Sequence, residues 1–239
     1  MRHASSAVVA CADAGCIYPP DWLERLSAPL REGEARYALG GSCLHPSERT
    51  VWDIASAPFF GVKLDAAAPT KSCTARSMAF RKDLWTEAGE FPETVFLGED
   101  TLFDGAVRKL VRPAFPIGAK ALYRPRHTFG SAVHQLAMYA QADGMLGVRP
   151  ARLARNLARC LVELLALVVV GATLLPLLAI FMLELFFAFR LDWRELRRAS
   201  PGALVARLVF SLVVPWVVAW NQVAGGLRKT VRPNRQNAL

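Results

Sequence analysis

From Leu161 to Phe189 the chain is nearly all apolar, interrupted by Glu163, Pro176 and Glu184. A helix needs about 20 apolar residues to cross a bilayer, so this run suffices for one tilted or kinked span. It also suits a re-entrant pair of segments turning near Pro176. A second apolar run, Ala203 to Val223, carries Arg207 near one end and Pro215 inside. Trp216 and Trp220 lie toward its other end, where aromatic rings suit a water–lipid boundary. Basic residues flank both runs. Arg149, Arg152, Arg155 and Arg159 recur at helical spacing before the first, as a basic interfacial stripe. A second basic cluster, Arg190 to Arg198, leads into the chain break Ser200-Pro201-Gly202, and Arg228, Lys229, Arg232 and Arg235 follow the second run. Residues 149–239 therefore read as a basic interfacial segment followed by about two membrane-spanning helices.

Charge divides the chain at the same place. Residues 1–148 hold 16 basic and 16 acidic side chains, whereas residues 149–239 hold 13 and 4. The net charge of +9 thus belongs entirely to the segment around the apolar runs. That placement points to anionic membrane lipids as partners and away from nucleic acid. All three flanks are basic, so the preference for positive cytoplasmic loops does not fix the orientation. Five cysteines, an odd number with no CxxC pair, argue against a disulfide framework or zinc site and for a reducing compartment. Met1 to Ser6 lacks the charged start and apolar core of a signal peptide.

The neutral residues 1–148 read as α/β. Ala7 to Cys11 (AVVAC) has the composition of a buried parallel strand. Pro19-Pro20 suits the beginning of a helix with Asp21 as its N-terminal acid. Trp22, Leu23, Leu26 and Leu30 then give one apolar helical face, with Trp22 a core anchor rather than a substrate platform. Tyr37 to Cys43 (YALGGSC) reads as one strand containing a glycine pair, Glu48 to Phe60 as a weaker helix, and Gly61 to Ser72 as a loop. Ser77 to Phe80 reads as a strand, and Arg81-Lys82-Asp83 opens a helix that Gly89 caps. Helix resumes at Thr101, and Ala119 to Tyr123 is a strand. His127 and His134 have no metal-ligand spacing and read as structural.

Two acidic stretches stand out in this half. Asp13 ends the first apolar run, in Ala12-Asp13-Ala14-Gly15-Cys16. Glu99-Asp100 follow the Gly/Pro-rich loop Gly89-Glu90-Phe91-Pro92-Glu93, within Gly98-Glu99-Asp100-Thr101-Leu102-Phe103. An acid at a strand's carboxyl end, facing another at a helix start, suits the ligand cleft of an α/β sheet. Acids also favour helix N-termini for electrostatic reasons alone.

The ordered set DAGC…PxWL…AFRxxxWxxAGxFPE…GEDTLF, from about Ala7 to Gly144, resembles the inverting family 2 glycosyltransferases of GT-A fold. The hydrophobic tail fits membrane-anchored members. The resemblance implies a partial GT-A domain over residues 1–148, acting on a nucleotide-diphosphate sugar and a lipid-linked or polysaccharide acceptor. It implies Asp100 as the base that deprotonates the acceptor hydroxyl, with Glu99 in support. Asp13 falls at the ribose- or metal-proximal acid, and a divalent cation, Mg²⁺ or Mn²⁺, is implied beside it. Gly15 stands where a second aspartate is usual. Arg124 and Arg126 are diphosphate ligands by charge, since Gln141 replaces an arginine that many relatives carry. Arg81, on the acceptor side, either meets a phosphate or sugar hydroxyl or is an ordinary helix-start residue. Such proteins sit in the cell (inner) membrane with the catalytic domain on the cytoplasmic side, where nucleotide sugars are made.

Relatives carry about three βα units ahead of the Asp13 strand. The chain is accordingly expected to be a piece of a longer enzyme or a shortened protein. The reading from a different class is a catalytically silent membrane protein, or a subunit that completes its sheet against a partner.

Overall fold

The computed structural model describes residues 3–46, 49–64, 75–124, 126–170 and 200–231. Among them the chain is mixed α/β, with two three-stranded sheets and seven α-helices. Met1–Arg49 and Ala57–Pro125 form one compact unit, and Thr50–Ser56 with Arg126–Leu239 form another.

The first unit is built on side-chain alternation in a sheet of β1 (Val8–Ala12), β3 (Tyr37–Leu39) and β5 (Ser77–Arg81). The central strand β5 is antiparallel to both neighbours, with Ala12 opposite Ser77 and Val8 opposite Arg81. Successive strand residues point to opposite faces. One face presents Val8, Ala10, Ala38 and Ala79, small enough for Trp22, Leu26 and Leu30 of α1 (Trp22–Arg31) to pack closely on it. Burying each of those two leucines contributes about 2 kcal/mol. The other face presents Val9, Cys11, Tyr37, Leu39, Met78 and Phe80. It is covered by Leu84 and Trp85 of α3 (Lys82–Glu87) and by Phe103 and Val107 of α4 (Glu99–Leu110). The result is a helix–sheet–helix sandwich.

Several sequence expectations hold here with changes of detail. Asp21 is the N-cap residue of α1, but its carboxylate pairs with Arg25 at 2.5 Å rather than with the helix backbone. Gly89, at φ +89°, ends α3 in the left-handed conformation and donates to Thr86 O. The first strand, expected as buried and parallel, is half-buried and antiparallel to β5. Among the described residues β5 is its only strand neighbour, so β1 is an edge strand of this sheet.

The stretch YALGGSC is not one strand. Its first half is β3, and its second half is β4 (Gly41–Leu44), which belongs to a second sheet with β2 (Cys16–Ile17) and β6 (Lys120–Tyr123). The middle strand β6 is antiparallel to β2 and parallel to β4. The break falls at Gly40, where a Cβ would lie 1.9 Å from Ala119 O and 2.0 Å from Ser77 Oγ. Only glycine fits this close approach. The helix expected over Glu48 to Phe60 is α2 (Val51–Ser56) followed by a 3-10 turn, Ala57–Phe60. The loop reading beyond Leu64 lies outside the described residues.

The second unit contains α2, α5 (Phe129–Leu146), α6 (Pro150–Val170) and α7 (Pro201–Val231). Thr128 caps α5 by accepting from Ser131 N, and Gly147 closes it at φ +69°. Two glycines bring α5 and α7 backbone to backbone. A Cβ at Gly144 would sit 1.9 Å from Gln222 O, and one at Gly225 2.1 Å from Gln141 O. Pro201–Arg228 of α7 is long and apolar enough to span a membrane, with a mean hydropathy of 2.0 over its most apolar 18-residue window. Of the first apolar run, everything after residue 170 lies outside the described residues, as does the Arg190 to Arg198 cluster.

The basic stripe leading into and along α6 is not uniformly interfacial, because three of its four arginines have protein partners. Arg152 reaches the buried Asp143 carboxylate at 2.6 Å, and Arg159 donates to Ser211 O at 2.7 Å. Pro215, inside α7, has no N–H, so it cannot take the Ser211 carbonyl four residues back; Arg159 does. Arg149, just before α6, also pairs with the Asp143 carboxylate at 3.4 Å, whereas Arg155 is exposed.

Gly40→Ala is expected to destabilise the protein by about 3 kcal/mol, through overpacking against backbone. Gly33→Ala, at φ +78° with nothing within 4 Å of the new Cβ, should cost only about 1 kcal/mol. Comparing the two variants in denaturant unfolding monitored by tryptophan fluorescence checks the difference.

Candidate functional site

β1 and β3 run parallel to each other, and their carboxyl ends meet the amino end of β5, where the chain passes between the two sheets. Ligand sites in α/β folds form outside the carboxyl ends of strands. Asp13 follows β1 here, in a tight turn closed by Cys16 N donating to Asp13 O at 3.1 Å. Tyr18 locks that turn. Its hydroxyl accepts from Asp13 N at 2.6 Å and stands 3.0 Å from Arg76 O and 3.2 Å from Asp13 O, either of which can take its proton.

Arg76 is the residue that sequence reasoning missed. Its side chain is 6% exposed, with Nε 3.9 Å from Asp13 Oδ2. Nη1 donates to Phe60 O at 3.3 Å, and the guanidinium lies 4.2 Å above the Tyr123 ring centroid. No motif marks it, because its partners at 13, 60 and 123 are spread through the chain.

Asp100 comes to the same region. It stands in the first turn of α4, behind Gly98 at φ +92°, and its Oδ2 accepts from Ala75 N at 3.1 Å. The consecutive residues Ala75 and Arg76 thus contact the two acids singled out in the sequence. Burial pushes the Cys11 thiol, on β1, up to about 11, and the Asp100 carboxylate adds to that shift.

The remaining sequence candidates are placed as follows. Gly15 packs against Tyr123, a Cβ there lying 3.9 Å from the ring, and its carbonyl accepts from Arg124 N at 3.4 Å. Arg124 therefore adjoins the turn that carries Asp13, with its side chain exposed. Glu99 opens α4, half-buried. Arg81 lies at the opposite end of β5, across from Val8, about 13 Å along the strand from the Asp13 end. It pairs with Asp83 at 3.4 Å. Arg126 belongs to the second unit and is exposed.

The donor set does not fit the divalent cation that the resemblance implies. Hard cations take several oxygen ligands. The turn offers the Asp13 carboxylate alone, since Gly15 has no side chain, and a guanidinium stands 3.9 Å from that carboxylate. Among the described residues no group of three or more His, Cys, Asp or Glu is arranged to hold a metal. No protein-family model matches the chain, and no curated protein shows significant similarity to it.

Burial raises the Tyr18 phenol to about 12. The folded protein holds this proton to higher pH than the unfolded chain does, so the stabilisation is complete below about pH 10. It is lost as pH rises toward 12. Phenolate absorbance should show a tyrosine ionising near pH 12 in the wild type and not in Tyr18→Phe, and the melting temperature of the wild type should fall more steeply across that window.

Proposed function

We propose that this chain is a membrane-bound inverting glycosyltransferase of family 2, acting on a nucleotide-diphosphate sugar at the cytoplasmic face of the cell membrane. The observation that carries the reading is the convergence of Asp13 and Asp100 on Ala75-Arg76 at the carboxyl end of β1. The acceptor is a lipid-linked or polysaccharide hydroxyl. In the transfer step Asp100 removes the proton of that hydroxyl as its oxygen bonds to the anomeric carbon. The bond from that carbon to the diphosphate breaks at the same time, the electron pair leaving with the phosphate oxygen and the anomeric configuration inverting. A base of this kind accelerates proton removal by about 10²–10⁴-fold.

Membrane attachment is supported by the polarity of α7. Its outward residues Val205, Leu212, Trp216, Trp220, Val223 and Leu227 are apolar and exposed, whereas Arg207, Ser211 and Gln222 are buried. The buried polar groups sit among Ala206, Phe210, Val214 and Val218, so α7 is apolar on both faces, and a lipid environment favours the apolar outer one. The multi-pass topology rests on the apolar run from Leu161 to Phe189.

Membranes carrying the full chain are incubated with labelled nucleotide sugars, and label in lipid and polymer fractions is counted. Asp100→Asn should lower transfer at least about 100-fold, with the variant still retained in membranes after alkaline carbonate washing. Undiminished transfer by Asp100→Asn would remove it as the base. Release of the wild-type chain by carbonate would remove the membrane assignment.

A further inference from the structure

The Arg76 guanidinium is held in a way that leaves one edge open. Its face packs on Tyr123 and its Nη1 is anchored on Phe60 O. Nε and Nη2 make no hydrogen bond among the described residues, and that edge faces the half-exposed Asp13 carboxylate at 3.9 Å, beyond hydrogen-bond distance. The Nε/Nη2 edge of arginine presents two parallel N–H donors, the geometry that matches two oxygens of a phosphate. A side chain 6% exposed and held at two points, on the Tyr123 ring and Phe60 O, loses little freedom on binding.

We propose that Arg76 supplies, in place of a divalent cation, the positive charge that receives the donor's diphosphate beside Asp13. This rests on the glycosyltransferase reading and gives the same site a different electrostatic basis. Gly15 removes one carboxylate from the turn, and the guanidinium fills the resulting need for a cation with a permanent charge. Asp13 then serves as the counter-charge that Arg76 faces in the absence of substrate, not as a metal ligand. The two ideas predict opposite effects of removing the Asp13 charge. A metal-dependent site loses affinity for diphosphate when its carboxylate is neutralised. An arginine site gains affinity, because the competing anion next to the guanidinium is gone.

The test uses the full chain in detergent or nanodiscs, with inorganic pyrophosphate as the probe, measured by titration calorimetry in EDTA and again with Mg²⁺ or Mn²⁺. The expected result is binding in EDTA that added metal does not strengthen. Arg76→Ala should weaken it about tenfold or more, Arg76→Lys should recover part of the loss, and Asp13→Asn should strengthen it. Asp13 is 53% exposed, so its isosteric replacement leaves the fold intact and keeps the test decisive if Arg76→Ala unfolds. Binding that requires metal, or that Asp13→Asn weakens, overturns the arginine assignment and leaves the transferase reading standing. Absence of pyrophosphate binding under every condition overturns both.

Discussion

Ser77 is the point on which the first unit depends. Its hydroxyl accepts from Trp22 Nε1 at 2.9 Å and donates to Ala119 O at 3.0 Å, while its own carbonyl accepts from Gly40 N at 2.8 Å. One residue thereby joins α1, the central strand of one sheet and the start of the middle strand of the other. Each of these groups is buried, and a buried donor or acceptor left without a partner costs about 1–3 kcal/mol. The missing side chain at Gly40 is what permits the approach. Arg76 precedes Ser77 directly, so the most constrained backbone in the unit is also the backbone that aims the guanidinium at Asp13.

The second unit obeys the same rule with different groups. The polar residues on the inner face of α7 pair with carbonyls that helix ends or proline have left without an N–H. Arg207 donates to Ala55 O at the end of α2, and Gln222 donates to Val148 O between α5 and α6. The Trp216 indole donates to Glu163 of α6. These contacts pin the elements of the second unit to one another.

Much of this was legible in the chain itself. The α1 face through Trp22, Leu26 and Leu30, the strands at 8–12, 77–81 and 120–123, the cap at Gly89 and the helix through Ala203 to Val223 all follow from local periodicity or turn chemistry. What was not legible depends on distant partners. The glycine pair looks like a flaw in one strand until Ala119 and Ser77 are known to press on Gly40. Arg152 and Arg159 share the spacing of Arg155, and only Asp143 and the carbonyl freed by Pro215 separate them from it. Arg76 lies outside every quoted motif, and its candidacy rests on partners from three other parts of the chain. Arg81, inside a motif, lies at the other end of its strand from Asp13.

The bond from Arg207 to Ala55 bears on the order in which the molecule is made. The two residues are 152 positions apart. At usual synthesis rates Ala55 leaves the ribosome roughly ten to thirty seconds before Arg207. An arginine entering lipid alone costs about 2.5–3.5 kcal/mol or more. The carbonyl that offsets this charge belongs to a short helix translated within the stretch that forms the other unit. The helix that is long and apolar enough to cross a membrane is therefore made only after the acceptor for its buried arginine, so translation order sets the partner in place ahead of the side chain that needs it.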